Sequence, residues 1–338
     1  MSVGPSALLQ CFARGFGTCQ REGARAVEII STQGLTKYYG KTRGIEDLSL
    51  SVPAGAVYGF LGPNGSGKTT TIRCLLGMLK PTSGEASILG QKVTLDGSDV
   101  RRHVGYVAGE VRLYERETGR WHLDYAAGFR GGKGVLTDDL VERFEFDPSK
   151  KVKELSKGNK QKLALILAMT HDPDLLILDE PTSGLDPLNQ ETVYQVIDER
   201  IAAGRTVFLS SHVLSEVERV CDRVGIIRAG HLVAEENVED LLGKRLRHLE
   251  VRFGEPTAPS FLADLSGVDA VTAVSDVTLA ARVKGDVVDD VLKRIAGRRV
   301  ADITIQQAGL EDVFLEFYRS DGQIEESVAE SAGEGEVP

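Results

Sequence analysis

A chain of 338 residues with 41% hydrophobic content is long enough to bury a sizeable core, and its length suggests two domains plus tails. The formal net charge of −10 argues against broad nucleic-acid binding, and no stretch approaches the roughly 18 to 25 consecutive apolar residues of a membrane-spanning helix. Cys11, Cys19, Cys74 and Cys221 have neither C-x-x-C spacing nor a histidine cluster, so they read as spectators in a reducing compartment, not as zinc ligands or a disulfide framework.

Residues 1–26 show little periodicity and no apolar signal-peptide core, which makes them an N-terminal extension and the cytoplasm the default location. Short apolar strands begin at Val27-Glu-Ile-Ile30, turn at Pro53-Ala-Gly55, and lead into the buried-type strand Ala56-Val-Tyr-Gly-Phe-Leu61. Directly after it, Gly62-Pro-Asn-Gly-Ser-Gly-Lys68-Thr69 fits the nucleotide-binding loop G-x-x-x-x-G-K-[ST], with a helix predicted over Lys68 to Leu79 and closed by Pro81. A Gly-rich surface turn would lack that strand-loop-helix context. Gly62, Gly65 and Gly67 allow close wrapping, so backbone amides and the helix N-terminus face a phosphate. Lys68 is expected to reach the β- and γ-phosphates of ATP and the Thr69 hydroxyl to ligate Mg²⁺, with Asn64, Ser66 and Thr70 completing the cradle.

Ala86-Ser-Ile-Leu89 followed by Gly90 reads as a strand and turn, and the mixed stretch from Thr118 to about Glu154, broken at Gly131-Gly132, as helical pieces. These belong to a helical insertion spanning about residues 112–170. Leu175-Leu-Ile-Leu178 and Thr206-Val-Phe-Leu209, separated by a helix near Asn189 to Ala203, are apolar on both faces and imply a mostly parallel sheet covered by helices, an α/β class. The first of these strands ends in Asp179-Glu180. By itself an apolar run ending in two acids is a strand meeting its loop. Downstream of a phosphate loop, it places Asp179 to hold Mg²⁺ and Glu180 to polarise the water that attacks the γ-phosphorus.

The pattern changes after about Lys244. Leu249, Val251 and Phe253 alternate with charged residues as a half-buried strand, followed by a short helix around Pro259 to Leu265 and strands near Val271 to Val274 and Val277 to Val283. An amphipathic helix over Asp286 to Ile295 and a strand at Val300 to Ile305 complete β-α-β-β-α-β, a small split βαβ (ferredoxin-like) domain. A closing helix is expected over Leu310 to Tyr318. The tail carries acids at positions 321, 325, 326, 330, 334 and 336 and no base, which predicts disorder. The expected domains are thus 27–243, 244–319 and an acidic tail over 320–338.

With these motifs in this order, residues 27–240 resemble the nucleotide-binding subunits of ATP-binding cassette (ABC) transporters, P-loop ATPases with a mostly parallel sheet and a helical subdomain. Leu155-Ser-Lys-Gly-Asn-Lys-Gln-Lys162 resembles the family signature, normally Leu-Ser-Gly-Gly-Gln, and leads into an apolar helix; its Ser-Lys-Gly-Asn form is similar to the ABC-2 exporter class, which includes drug and antibiotic resistance pumps. Ser183-Gly-Leu-Asp186 resembles the D-loop, His212 the switch histidine, and Tyr39 in Lys37-Tyr-Tyr-Gly40 the aromatic that stacks on adenine. Tyr38, on an extended stretch, would face the other way.

The resemblance implies two ATP sites shared across a head-to-tail dimer. Ser156 and Gly158 would touch the γ-phosphate held by the other subunit, Asp186 would couple the sites, and His212 would order the attacking water. An ordinary helix cap by Ser156 is the competing explanation. Two departures stand out. Gly109 in Val104-Gly-Tyr-Val-Ala-Gly-Glu110 replaces the usual glutamine that touches Mg²⁺, leaving Glu110 as a substitute of different charge and reach, and Lys157 replaces a signature glycine. Lys157 either adds positive charge near the opposite nucleotide or points to solvent.

The implied function is an ATPase at the cytoplasmic face of the membrane, a peripheral subunit that pairs with a second cassette, expected to be a homodimer, and with a separate ABC-2-type permease for efflux of drug, antibiotic or lipid. No nucleic-acid partner is expected. The alternative is a soluble ABC-type ATPase of nucleic-acid repair or translation, against which stand the single cassette, the absence of a long heptad region and the negative charge. The C-terminal unit is also open to a regulatory or dimer-stabilising reading.

Overall fold

The computed structural model describes residues 27–130, 132, 134–243 and 246–307. The expected N-terminal extension, the helix over Leu310 to Tyr318 and the acidic tail lie outside the described residues, as does Gly131 of the Gly131-Gly132 break.

Near the N-terminus, β1 (Glu28–Tyr39), β2 (Thr42–Leu48) and β3 (Ser51–Pro53) precede β4 (Val57–Leu61), which enters the phosphate loop. After the loop and its helix come β5 (Ser83–Ile88), β6 (Gln91–Lys92) and β7 (Val104–Val107). The remaining cassette strands are β8 (Leu175–Asp179), β9 (Thr206–Ser211), β10 (Arg223–Arg228) and β11 (His231–Asn237).

Two sheets result. One has the order β11-β10-β4-β9-β8-β7, parallel throughout except for the antiparallel edge strand β11. The other is antiparallel, in the order β2-β1-β5-β6 with β3 also on β1. The parallel sheet matches the expectation from the two-sided apolar strands. The antiparallel one was not legible, because its strands are short or irregular and register shifts interrupt β1 against each of its partners.

Alternation along β8 explains why it is apolar on both faces. Leu176 and Leu178 join Val207 and Leu209 of β9 in a core shared with Leu140, Phe144, Leu163 and Ile166 of the helical insertion. Leu175 and Ile177 point the other way, into a core with Tyr58, Phe60, Ile72, Leu75 and Phe208. Helices cover both faces, as a parallel sheet requires. The insertion itself contains helices Gly119–Phe129, Thr137–Arg143 and Lys157–Met169.

The helix after the phosphate loop is shorter than expected, Lys68–Leu75 rather than reaching Leu79. Gly77 adopts φ 63° and ends it before Pro81, and a Cβ there would lie 2.5 Å from the Thr94 carbonyl oxygen.

Beyond residue 245, β12 (Leu246–Phe253), a helical turn Ser260–Ala263, β13 (Val268–Ser275), β14 (Thr278–Lys284), helix Val288–Ala296 and β15 (Val300–Gln307) follow in turn. They form an antiparallel sheet ordered β13-β14-β12-β15. Its core gathers Leu249, Val251, Phe253, Leu279, Val291 and Ile295. Among the described residues no helix is long and apolar enough to cross a membrane.

Candidate active site

Three parallel strands, β4, β8 and β9, deliver their carboxyl ends to one edge of the sheet, and the candidate site is built there. The phosphate loop leaves β4 under severe steric limits. A Cβ at Gly62 would lie 2.3 Å from the Ile227 carbonyl oxygen, and one at Gly67, where φ is 115°, would lie 2.7 Å from Ile45 Cγ2. Only glycine lets the chain pass these two points.

Lys68 opens the helix and is 6% exposed, so its ammonium needs oxygen partners. Its ammonium donates to the carbonyls of Gly62 at 2.6 Å and Pro63 at 3.3 Å, and sits 3.5 Å from Glu180 Oε1. Thr69 Oγ1 donates to Asp179 Oδ2 at 2.9 Å. The register of β8 on β9 places Asp179 opposite Ser210, whose hydroxyl donates to the second carboxylate oxygen. Asp179, 1% exposed, is therefore held by hydroxyls from two directions.

Glu180 lies one residue past β8 with φ 52°, a left-handed conformation that a non-glycine residue holds only under constraint from its surroundings. Its amide donates to the Ser210 carbonyl at 3.0 Å. One carboxylate oxygen faces Lys68 and the other accepts a 2.6 Å hydrogen bond from His212 Nδ1. His212 follows β9 and is half exposed.

These groups border a cavity of about 1040 Å³, ample for a nucleotide. Of the residues expected to bind ATP, it brings together Tyr39, Asn64, Gly65, Gly67, Lys68, Thr69, Thr70, Asp179 and Glu180. Tyr39 is 47% exposed, its hydroxyl lies 3.4 Å from Thr70 Oγ1, and the Lys37 ammonium lies 5.5 Å from its ring centroid. Tyr38 is instead tied to Glu46 Oε1 at 2.7 Å, a bond that also pushes its phenol pKa up. Gly62 and Ser66 do not line the cavity; both are buried behind the loop, where the Ser66 carbonyl accepts from the Gly230 amide at 2.8 Å. His212 meets the cavity through Glu180.

Ser156, Gly158 and Asp186 also lie away from this cavity. Ser156 caps helix Lys157–Met169, its Oγ accepting from the Asn159 amide at 3.2 Å, and is exposed. Asp186 caps helix Pro187–Ala202, and the Asn189 backbone N–H, followed by its side chain, holds the carboxyl below the usual carboxylate range. Gly158 packs on the next loop, since a Cβ there would lie 2.8 Å from the Gly184 carbonyl oxygen. Lys157 is exposed and donates to Ser183 Oγ at 3.2 Å, so it leans over the Ser183-Gly184 loop of its own chain.

At the glutamine departure, a Cβ on Gly109 would lie 3.2 Å from Asp179 Oδ2, and Glu110 turns its exposed carboxylate to Arg112 at 2.9 Å. Sequence reasoning missed Ser210, although a serine ending an apolar strand beside an Asp-ended one is a usable signal. It also missed Arg43, Arg73 and Arg112, which line the cavity and carry no local motif. Gln161, buried in the signature helix, donates to the Pro181 carbonyl at 2.8 Å and so touches the chain just after Glu180.

The donor set fits magnesium. Thr69 and Asp179 offer a hydroxyl and a carboxylate at the cavity wall, and among the described residues no cluster of three or more His, Cys, Asp or Glu forms an all-protein cage. Mg²⁺ is characteristically held by one or two such groups together with nucleotide phosphates.

Comparison with known proteins identifies the family. Residues 45–183 match the family model described as ABC transporter. The bacitracin transport ATP-binding protein BcrA of Bacillus licheniformis is 39% identical over 232 residues, 67% of this chain and 76% of the relative. An uncharacterized ABC transporter ATP-binding protein of Nostoc sp. is 33% identical over 322 residues, 90% of this chain and 94% of the relative. A solved structure described as the ATP-binding subunit of an ABC transporter superposes with a TM-score of 0.59 at 32% identity, covering 63% of this chain and 91% of that one. The chain belongs to the ABC transporter family, as one of its ATP-binding and ATP-hydrolysing subunits.

Proposed function

We propose that this subunit powers an exporter of drugs, antibiotics or lipids from the cytoplasmic face of the membrane, closing on a second copy of itself around ATP and driving an ABC-2-type permease. The observation that carries the reading is the line Lys68, Glu180, His212 at the cavity edge, with contacts of 3.5 Å and 2.6 Å. In it, Lys68 exchanges its carbonyl partners for the β- and γ-phosphates. Glu180, aligned between a cation and an imidazole, accepts the proton of the attacking water, and His212 steadies the γ-phosphate and that water.

Thr69 and Asp179 would hold Mg²⁺, which when bound neutralises phosphate charge. Tyr39 would stack on the adenine. Ser156, Gly158 and Asp186 stand outside the cavity that holds Lys68, as residues serving a partner subunit's nucleotide must. The exposed Ser156 hydroxyl at a helix N-terminus is suited to an anion arriving from outside the protomer. Residues 27–243 form the motor in this proposal, and 244–319 an accessory domain. The drug-export reading draws on the relative named for bacitracin transport.

The test is the Glu180→Gln subunit incubated with ATP and Mg²⁺, followed by light scattering. A stable dimer that dissociates when ATP is removed is expected, and it should form only if Ser156 is intact. A monomer at saturating ATP would overturn the composite site. For cargo, disruption of the chain in its host should raise sensitivity to peptide antibiotics, and unchanged sensitivity across drug and lipid stress would remove the efflux reading.

A further inference from the structure

A third carboxylate lies behind the candidate site, beyond Asp179 and Glu180, and the mechanism above does not use it. Glu216, in the first turn of helix Leu214–Val220, is only 4% exposed. A buried carboxylate without a cation is costly unless hydroxyls or amides satisfy it. Glu216 has three hydroxyl neighbours. Thr182 Oγ1 donates to Oε1, Ser211 Oγ donates to Oε2 at 2.5 Å, and the Tyr194 phenol faces the same carboxyl group. Burial raises the Glu216 pKa, and burial first, then the nearby Glu216 charge, pushes the Tyr194 phenol up to about 12.

What matters is which segments those hydroxyls belong to. Thr182 stands two residues after Glu180, and Ser211 stands immediately before His212. Both are buried. Ser211 Oγ also accepts from the Val213 amide at 2.9 Å, so the chain on both sides of His212 is gathered on this one hydroxyl. The two oxygens of Glu216 thus each hold one of the two loops that carry the 2.6 Å Glu180–His212 contact. Glu180 itself sits at φ 52° and needs its flanks fixed to stay there.

We propose that Glu216 is a positioning residue for hydrolysis, a carboxylate clamp that sets the separation and alignment of Glu180 and His212 without touching nucleotide. A single hydrophobic side chain in its place would fill the volume but bind neither loop. The clamp also ties the loop leading to Asp186, which begins at Thr182, to the loop of His212, so displacement of one is carried to the other. The inference rests on the reading of Glu180 and His212 as the hydrolytic pair.

The test uses the full chain and compares Glu216→Ala, Glu216→Gln, Thr182→Val and Ser211→Ala. Steady-state ATP turnover is measured alongside binding of a fluorescent ATP analogue and thermal melting. Misalignment of reacting groups costs up to about a hundredfold, so Glu216→Ala should lower kcat by roughly tenfold to a hundredfold while nucleotide affinity stays within about twofold. Glu216→Gln, which keeps one acceptor oxygen, should fall between it and the unaltered chain, as should the two hydroxyl deletions. Because one arm of the clamp acts through His212, adding Glu216→Ala to His212→Ala should cost clearly less turnover than Glu216→Ala costs in the unaltered chain.

An unchanged kcat in folded Glu216→Ala would overturn the clamp, as would a full additional loss in the His212→Ala background. A parallel fall of turnover, affinity and melting temperature would also overturn it, by making Glu216 a fold-stability residue. If Glu216→Ala does not fold, Thr182→Val and Ser211→Ala carry the same comparison, since each cuts one arm only. Glu180→Gln is run beside them: wild-type turnover in that variant would remove the hydrolytic pair itself, whereas its inactivity together with full activity of the Glu216 and hydroxyl variants removes only the clamp.

Discussion

The parallel sheet of the cassette and the antiparallel sheet beyond residue 245 use similar apolar residues to opposite ends. β4, β8 and β9 are buried along their whole length, whereas β14 alternates toward solvent and β12 exposes His248, Glu250 and Arg252 between buried Leu249, Val251 and Phe253. Parallel strands bring their carboxyl ends to one edge. There Asp179, Ser210 and Ser211, at the last buried positions of β8 and β9, share space with the phosphate loop. Antiparallel strands send successive ends to opposite edges, so among the described residues the second sheet builds a core but no comparable convergence of polar groups. Strand direction, more than composition, decides which sheet carries chemistry.

That contrast can be tested by perturbing each sheet in turn. The largest effect is expected for Glu180→Gln, which removes the proposed base just after β8. Turnover should fall by about 10²- to 10⁴-fold with ATP still bound, as read by single-turnover hydrolysis and nucleotide titration. Retained turnover would take the base role from Glu180. Next is Leu279→Ala in the core of the antiparallel sheet, where a fully buried leucine is lost. A destabilisation of about 2–5 kcal/mol is expected in denaturant unfolding, with ATP turnover unchanged. A matching loss of turnover would show that the two sheets are energetically one unit.

Lys68→Ala should weaken ATP binding by roughly tenfold to a hundredfold, the scale of one charge-assisted hydrogen bond, measured by titration with a fluorescent nucleotide. Equal affinity would mean that the loop amides alone hold the phosphates. The smallest effect is expected for Lys157→Gly. Its contact with Ser183 is exposed, so stability should change by no more than about 0.5 to 1 kcal/mol. A turnover change larger than a few-fold would move Lys157 from surface contact to the nucleotide of the opposite subunit.

Much of the cassette was legible because its signals are local. Gly62 to Thr69 is a contiguous run in which Gly62 and Gly67 answer to contacts of 2.3 and 2.7 Å that a Cβ would create. The strands beyond residue 245 and the helix between the last two were legible from alternation and from Val291 and Ile295 at helical spacing. The antiparallel sheet of β1, β2, β3, β5 and β6 was not, because pairing between Ile30 and Ile88 or Thr36 and Ser83 joins segments about fifty residues apart with no periodic signal in either. The early end of the phosphate-loop helix was hidden for a related reason: Gly77 meets Thr94, and a local reading sees only Pro81.

The amino-acid sequence by itself determined the ligand class and the family, and singled out candidate side chains for phosphate, carboxylate and imidazole chemistry, because a phosphate loop and an acid-ended apolar strand are encoded in neighbouring residues. Only the tertiary structure decided which of them meet. It joined Lys68, Glu180 and His212, set Ser156, Gly158 and Asp186 apart from their own chain's cavity, and brought Glu216, a near neighbour of Ser211 in sequence, onto the distant loop of Thr182 as well. The physical reason is that hydrogen bonds across a parallel sheet relate residues through register, and register is a property of the packed sheet that no single strand records.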